Sequence, residues 1–239
     1  MRIAIVSDIH GNHAAFEAVL ADLRQTSPDL ILHGGDLPHG GASPAEIVDR
    51  IRDLGWQGVL GNTDEMLWAP HLLRESLPPS PQTHSLLTAI EEMAAATSEA
   101  LGGERIAWLR GLPRIQTHGS VALVHANTKS TWVAPLREAS DAELEAAYRE
   151  LGRPIVVYAH IHQPFIRAVA GMIVANSGSV SLSYDGDPRA SYFLLDDGKP
   201  SIRRVAYDID SEVKALEASR LPHAGWIAKI LRTASFQMP

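Results

Sequence analysis

The chain contains no cysteine, which excludes disulfides, thiolate metal ligands and cysteine nucleophiles. It has no apolar run near the roughly 20 residues needed to cross a bilayer, so no membrane span is expected. Its first residues, Met1-Arg2-Ile3-Ala4-Ile5-Val6-Ser7-Asp8, turn polar and acidic too soon for an export signal, and a cytoplasmic home is the expectation. Positive charge is also scarce. There are 21 Lys and Arg against 28 Asp and Glu, for a net charge of −7. A surface that grips nucleic acid by its phosphates is usually basic, and the only dense basic pair is Arg203-Arg204. Long nucleic acid is therefore not an expected partner. A small phosphorylated substrate stays open, because bound cations would supply the local positive field.

What is present is an ordinary globular composition, 45% hydrophobic and 21% charged over 239 residues. That length suits one large α/β domain, or one domain with a modest insertion. Eleven histidines is a high count. Several fall in polar, glycine-flanked stretches rather than on apolar faces, which points toward metal chemistry.

Arg2–Ser7 is a short run rich in Ile and Val that predicts a buried strand. Asn12 is placed to cap a helix carrying Phe16, Val19, Leu20 and Leu23 at helical spacing. A second strand is predicted at Leu30–His33, ending in Gly34-Gly35-Asp36. Ser43 and Glu46 are spaced as a capping box, with Pro44 at the first helical position. Gln57–Leu60 predicts a third strand, followed by Gly61-Asn62. The βαβαβ order implies parallel strands with crossover helices.

Residues 65–113 break this rhythm and predict a helical insertion: a rigid connector Leu77-Pro78-Pro79-Ser80-Pro81, a helix over Thr83–Leu101, a stop at Gly102-Gly103, and another turn or two over Glu104–Arg110. The helix's apolar stripe is expected to pack on the main core, with a lid over a site or a homo-oligomer contact as alternatives. The α/β pattern resumes at Val121–Val124, followed by a second capping box at Ser140-Asp141-Ala142-Glu143 and a strand at Ile155–Tyr158. Short runs at Phe165–Val169, Met172–Ala175, Ser191–Leu195 and Ile202–Tyr207 then suggest a second, largely antiparallel sheet. A helical tail begins near Ile209.

Five of these strands end on polar residues: Asp8 with His10, Asp36, Asn62, His125, and His160 with His162. The carboxyl ends of strands are where open α/β sheets bind ligands. All these side chains are oxygen or imidazole donors, which divalent metals accept. Asp8 and His10, like His160 and His162, are two residues apart, so in extended chain both side chains leave one face and can grip one ion. Taken singly, each element has a commoner structural explanation, as a turn, a cap or a satisfied histidine. Their succession at consecutive strand ends is what argues for a joint metal centre.

The motifs Asp8-Ile9-His10, Gly35-Asp36, Gly61-Asn62-Thr63-Asp64, Val124-His125 and Ala159-His160-Ile161-His162 resemble, in order, those of the calcineurin-like metallophosphoesterase superfamily. The later segments Asn176–Val180 and Asp185–Ala190 are similar to its small bacterial single-domain branch. The resemblance spans roughly residues 1–64 and 115–207 and implies a four-layer α-β-β-α sandwich of two mixed sheets; residues 1–239 are expected to form a single domain, with the helical insertion at about 65–113 outside the family's general pattern. It implies two divalent metal ions, manganese foremost, with iron, zinc or nickel compatible with the same donors. Asp8, His10 and His162 would hold the first ion, Asn62, His125 and His160 the second, and Asp36 would bridge them. The implied reaction is hydrolysis of a small phosphodiester, phosphoanhydride or phosphomonoester, by in-line attack of a hydroxide bridging the ions. A serine/threonine phosphoprotein phosphatase and a non-catalytic metal-binding scaffold are the rival readings.

One position departs from the pattern. Thr63 stands where many members of the superfamily carry a histidine thought to protonate the leaving oxygen. Either another group assists, with His39 and His13 as candidates, or the preferred leaving groups need little protonation. Asn12 and Arg189 are the further candidates for contact with substrate phosphate.

Overall fold

Sheet order explains why the polar strand ends meet. In this computed structural model, which describes residues 1–77 and 80–239, β1 (Ile3–Val6) lies between β9 (Ala190–Asp196) and β2 (Leu30–His33). β3 (Gln57–Gly58) and β10 (Lys199–Val205) complete a sheet of order β10-β9-β1-β2-β3. The second sheet runs β4-β5-β6-β8-β7, from Ile115–His118, Val121–Val124, Ile155–Tyr158, Met172–Asn176 and Phe165–Val169. Each sheet is mixed. β1, β2 and β3 are parallel, as are β5, β6 and β8, while the remaining pairings are antiparallel.

Alternation along the strands builds the layers, since successive side chains leave opposite faces. Ile3 and Ile5 of β1 meet Leu123, Val157 and Phe193 in the seam between the sheets. Ala4 and Val6, on the other face, pack with Phe16, Val19 and Leu20 of α1 (His13–Thr26) and Ile47, Val48 and Ile51 of α2 (Pro44–Asp53). The outer face of the second sheet, with Val124, Val156 and Val174, is covered by Leu144 and Tyr148 of α6 (Asp141–Tyr148). The result is the expected α-β-β-α sandwich.

Several local expectations hold. Asn12 Oδ1 accepts from the backbone N–H of Ala15, and Ser140 and Glu143 make a reciprocal capping box. Others are corrected. Ser43 makes no side-chain cap bond; its expected partner Glu46 instead reaches His13 Nε2 at 3.2 Å. Strand β3 stops at Gly58 because Leu60 turns its N–H to the carbonyl of Pro113. The later strands do not form one antiparallel sheet: β9 and β10 join the first sheet, and in the second β5, β6 and β8 are parallel while β4 and β7 flank them antiparallel. β4 was not foreseen, because its alternately exposed Ile115-Gln116-Thr117-His118 carries almost no apolar signal.

Residues 65–113, expected as a helical insertion, run from the end of α3 (Asn62–Met66) through α4 (His71–Ser76) and α5 (Pro81–Arg110). Of the proline connector, Pro78 and Pro79 lie outside the described residues. Gly102, at φ 69° and ψ 171°, interrupts α5 where the sequence predicts a stop. Beyond it, Leu109 joins the core under α2, and before it Met93 meets α7 (Ile209–Ala218) and α8 (Ala224–Thr233). The expected packing on the main body is therefore what the insertion does.

His33 closes β2 with a ring that is wholly buried, 6.2 Å from the Trp108 ring, and neither of its nitrogens has a hydrogen-bond partner among the described residues. Burial pushes its pKa down from 6.5 to about 3. The unfolded chain protonates this group near 6.5 and the fold resists until about 3. Its stabilising contribution is thus complete above pH 6.5 and is lost as pH falls toward 3, at about 1.4 kcal/mol per pH unit. Replacing His33→Leu is expected to flatten the acid limb of stability between pH 6 and 4, measured by urea unfolding. An unchanged slope would contradict this.

Candidate metal centre

The seven predicted ligands come from the loops that follow β1, β2, β3, β5 and β6, and the structure brings them to one place. Five of them, Asp8, His10, Asp36, His160 and His162, adopt left-handed backbone with φ between 49° and 69°. Such residues are uncommon away from glycine and cost of order 1–3 kcal/mol each. Their clustering marks a functional site, because the turn each makes aims its side chain back over the strand ends.

Asp8, His10, Asp36 and His162 are all buried and can each present a donor atom within 4.8 Å of the others. His10 donates from Nδ1 to the carbonyl of His39 at 2.7 Å, and His162 from Nδ1 to the carbonyl of Leu182 at 2.6 Å. A carbonyl only accepts, so both rings carry their proton on Nδ1 and turn the Nε2 lone pair inward. Those two Nε2 atoms lie 3.3 Å apart. His162 Nε2 is 3.2 Å from Asp8 Oδ1, and neither carboxylate oxygen of Asp8 has a hydrogen-bond partner among the described residues. Acceptors facing acceptors in a buried pocket repel one another unless a cation sits between them. The donor set fits a divalent metal.

A second group converges beside it. Asn62 Oδ1 is 2.8 Å from both His125 Nε2 and His160 Nδ1. His125 donates from Nδ1 to the carbonyl of Gly34 at 2.7 Å, which again aims Nε2 inward. Asp36 lies between the groups, with Oδ2 3.7 Å from His10 Nε2 and Oδ1 3.5 Å from His125 Nε2. Gly61 makes this approach feasible: a Cβ there would sit 2.1 Å from Asp36 Oδ1.

The electrostatics follow from burial among opposite charges. Burial raises the Asp8 and Asp36 carboxyls, but the surrounding imidazoles outweigh it and both fall below the usual range. Burial lowers His125, yet the Asp36 and Asp8 carboxylates carry it upward on balance. His160 drops to about 4 through burial and the neighbouring His125. His39 drops to about 3, chiefly by burial, so its ring is neutral.

The remaining candidates separate. Thr63 and His39 line the cleft above the ligands. Thr63 donates its backbone N–H to Asp36 Oδ1 at 2.9 Å, and its buried hydroxyl has no partner among the described residues. His13 begins α1, is paired with Glu46, and is not among the cleft residues. Asn12 is occupied as the α1 cap and by Ser181 at 3.1 Å. Arg189 is half-exposed and held by Asp187 at 2.6 Å, in a turn whose residues do not line the cleft. Neither Asn12 nor Arg189 is among the residues that line the cleft.

The residue that sequence reasoning left without a role is Asp64. Its buried carboxylate accepts from the backbone N–H groups of Asp36, Leu37 and Gly61, at 2.9, 3.0 and 2.9 Å. It clamps the Asp36 and Asn62 loops together. The signal was present, since an acidic side chain three residues after Gly61 is placed to cap the short α3.

Comparison with known proteins agrees with this geometry. The chain belongs to the calcineurin-like phosphoesterase superfamily, whose domain model matches residues 1–198. An uncharacterised protein of Methanocaldococcus jannaschii is 30% identical to it over 250 residues, covering 96% of each chain. The fold is shared with a metallophosphoesterase from Sphaerobacter thermophilus, at TM-score 0.78 and 24% identity over 98% of this chain and 100% of that one. It is also shared with a hypothetical protein from Pyrococcus horikoshii OT3, at TM-score 0.84 and 18% identity over 99% of each. No helix among the described residues is long and apolar enough to cross a membrane.

Proposed function

We propose that the protein is a binuclear-metal phosphoesterase that hydrolyses small phosphate esters. The observation that carries this reading is the Asp8 carboxylate, buried without a hydrogen-bond partner among the described residues against the inward lone pairs of His10 and His162. Asp8, His10 and His162 would hold one ion, and Asn62, His125 and His160 the other. Asp36, with one oxygen toward each group, would bridge them. Manganese is the expected ion. Divalent ions in such a site activate water and neutralise charge developing on the phosphoryl oxygens. The chain's own part is to hold the donors rigid: Asp64 ties two of the loops, and main-chain carbonyls fix the tautomers of His10, His125 and His162. The packing of α5 and α8 with the sandwich helices supports reading 1–239 as one domain, with 65–113 inserted. The test is turnover of bis-p-nitrophenyl phosphate by chelator-stripped protein, with and without Mn²⁺. Activity that appears only with a divalent ion is expected, and none with any divalent metal would overturn the reading.

Thr63 sets a second expectation. Its hydroxyl cannot protonate a departing alkoxide near neutral pH, and the neutral His39 nearby is a poor acid. Rates should therefore fall steeply as the leaving-group pKa rises. Introducing Thr63→His should flatten that dependence and raise turnover of alkyl esters by roughly 10²-fold, the lower end for general-acid catalysis. A wild-type profile that is already flat would show that another acid operates.

A further inference from the structure

Directly above the candidate metal centre lies a cleft of about 320 Å³. Its floor is formed by His10, Asn62, Thr63 and His160. The walls have a different chemistry. Leu73, Leu86, Ile90 and Met93 come from the insertion, and Trp226 and Ile230 from α8. Phe236 reaches in from the C-terminal segment, which Trp226 holds by an Nε1–H bond to the carbonyl of Gln237 at 2.9 Å. Tyr184 stacks on His162 at 4.7 Å between centroids and meets Phe236 edge-on at 5.8 Å, so this apolar wall is continuous with a metal ligand. Among the described lining residues there is no Lys, Arg, Asp or Glu.

A site that handles nucleotides or polyphosphates needs cations beyond those at the reacting phosphorus, usually Arg or Lys forks on the distal phosphates. Here a second phosphate would lie against hydrocarbon, and burying an unpaired charge is costly. A sugar would likewise leave its hydroxyls without partners along most of the wall. An alkyl or aryl group would instead remove apolar surface from water on both sides.

We infer that the substrate is an ester with a single phosphoryl group and an uncharged apolar group, aryl where that group departs, which seats between the insertion, α8 and Phe236. This rests on the phosphoesterase reading for the phosphoryl end and on the cleft walls for the other. The insertion is thereby the specificity element as well as a packing element.

The n-alkyl phosphates from ethyl to hexyl isolate the effect, because their leaving groups scarcely differ in pKa. With Mn²⁺-loaded protein, kcat/KM should rise about two- to fourfold per added methylene, the factor for burying one CH₂. Propyl phosphate should be preferred to glycerol phosphate, which has the same carbon count and two hydroxyls. A flat or falling series in an active enzyme overturns the inference while leaving the phosphoesterase reading intact. Binding is read independently of turnover by the fluorescence of Trp132 and Trp226, both of which line the cleft. Hexylphosphonate should bind metal-loaded protein at least tenfold more tightly than methylphosphonate, and Phe236→Ala should reduce that ratio. Equal affinities overturn the inference whether or not any ester is hydrolysed. Tight hexylphosphonate binding without turnover upholds the apolar seat in the cleft and sinks the phosphoesterase reading on which its occupant's being a substrate rests.

Discussion

Asp36→Ala is expected to lower kcat for bis-p-nitrophenyl phosphate by at least about 10³-fold, with the protein still folded. Asp36 addresses both donor groups, at 3.7 Å from His10 and 3.5 Å from His125. Removing it would unlink the two proposed ions and also free the Thr63 N–H that it holds. Loss of a single preorganised electrostatic contact at a transition state typically costs 10²–10³-fold, and here two are lost together. His125→Ala should cost less, on the order of 10²-fold, because only the Asn62 group loses a donor. The ordering of the two variants is the informative part. Full activity in His125→Ala would show that the Asn62, His125 and His160 group does not take part. Equal and modest losses in both would argue that Asp36 is an ordinary ligand of one ion. Circular dichroism should exclude unfolding, because the left-handed Asp36 backbone is held by Asp64 rather than by its own side chain.

The same geometry explains how much of the site was legible beforehand. Six of the seven proposed ligands follow a strand rich in Ile, Val or Leu, and a strand that stops being apolar at a polar residue is visible in one dimension. Asn62 was readable from the Gln57–Leu60 run that Gly61-Asn62 ends, although the strand itself is only two residues long. The order β10-β9-β1-β2-β3 was not legible. Nothing local tells β9 to pair with β1 across nearly the whole chain rather than with β8 beside it. Topology of that kind is decided by which faces bury together, and Phe193 and Leu195 find theirs against Ile3 and Ile5. The left-handed turns at Asp8, His10, Asp36, His160 and His162 were hidden for another reason: propensity argues against them, and only the assembled loops impose them. The cleft walls were hidden as well, since Leu86, Trp226 and Phe236 meet only through the packing of α5 and α8.

Asp8→Asn is expected to remove the first ion's share of the stabilisation that metal confers while leaving a protein that folds. In wild type, a divalent ion at 100 times its Kd should add about 2.7 kcal/mol, since it binds the native state alone. For a chain of this length that is a rise in Tm of roughly 5–10 °C. The Asp8 carboxylate is the most demanding donor in the site, fully buried and with neither oxygen hydrogen-bonded among the described residues. An amide in its place keeps the shape and removes the charge. Asparagine also tolerates the left-handed backbone that Asp8 adopts at φ 54°, so the turn survives the exchange. The variant should show a clearly smaller Mn²⁺-dependent rise in Tm than wild type, the remainder coming from the Asn62 group, and a loss of turnover comparable to that of Asp36→Ala. A thermal shift equal to wild type would mean that Asp8 does not touch the ion. The first group would then reduce to His10, His162 and Asp36, and the unpartnered carboxylate would need a different explanation.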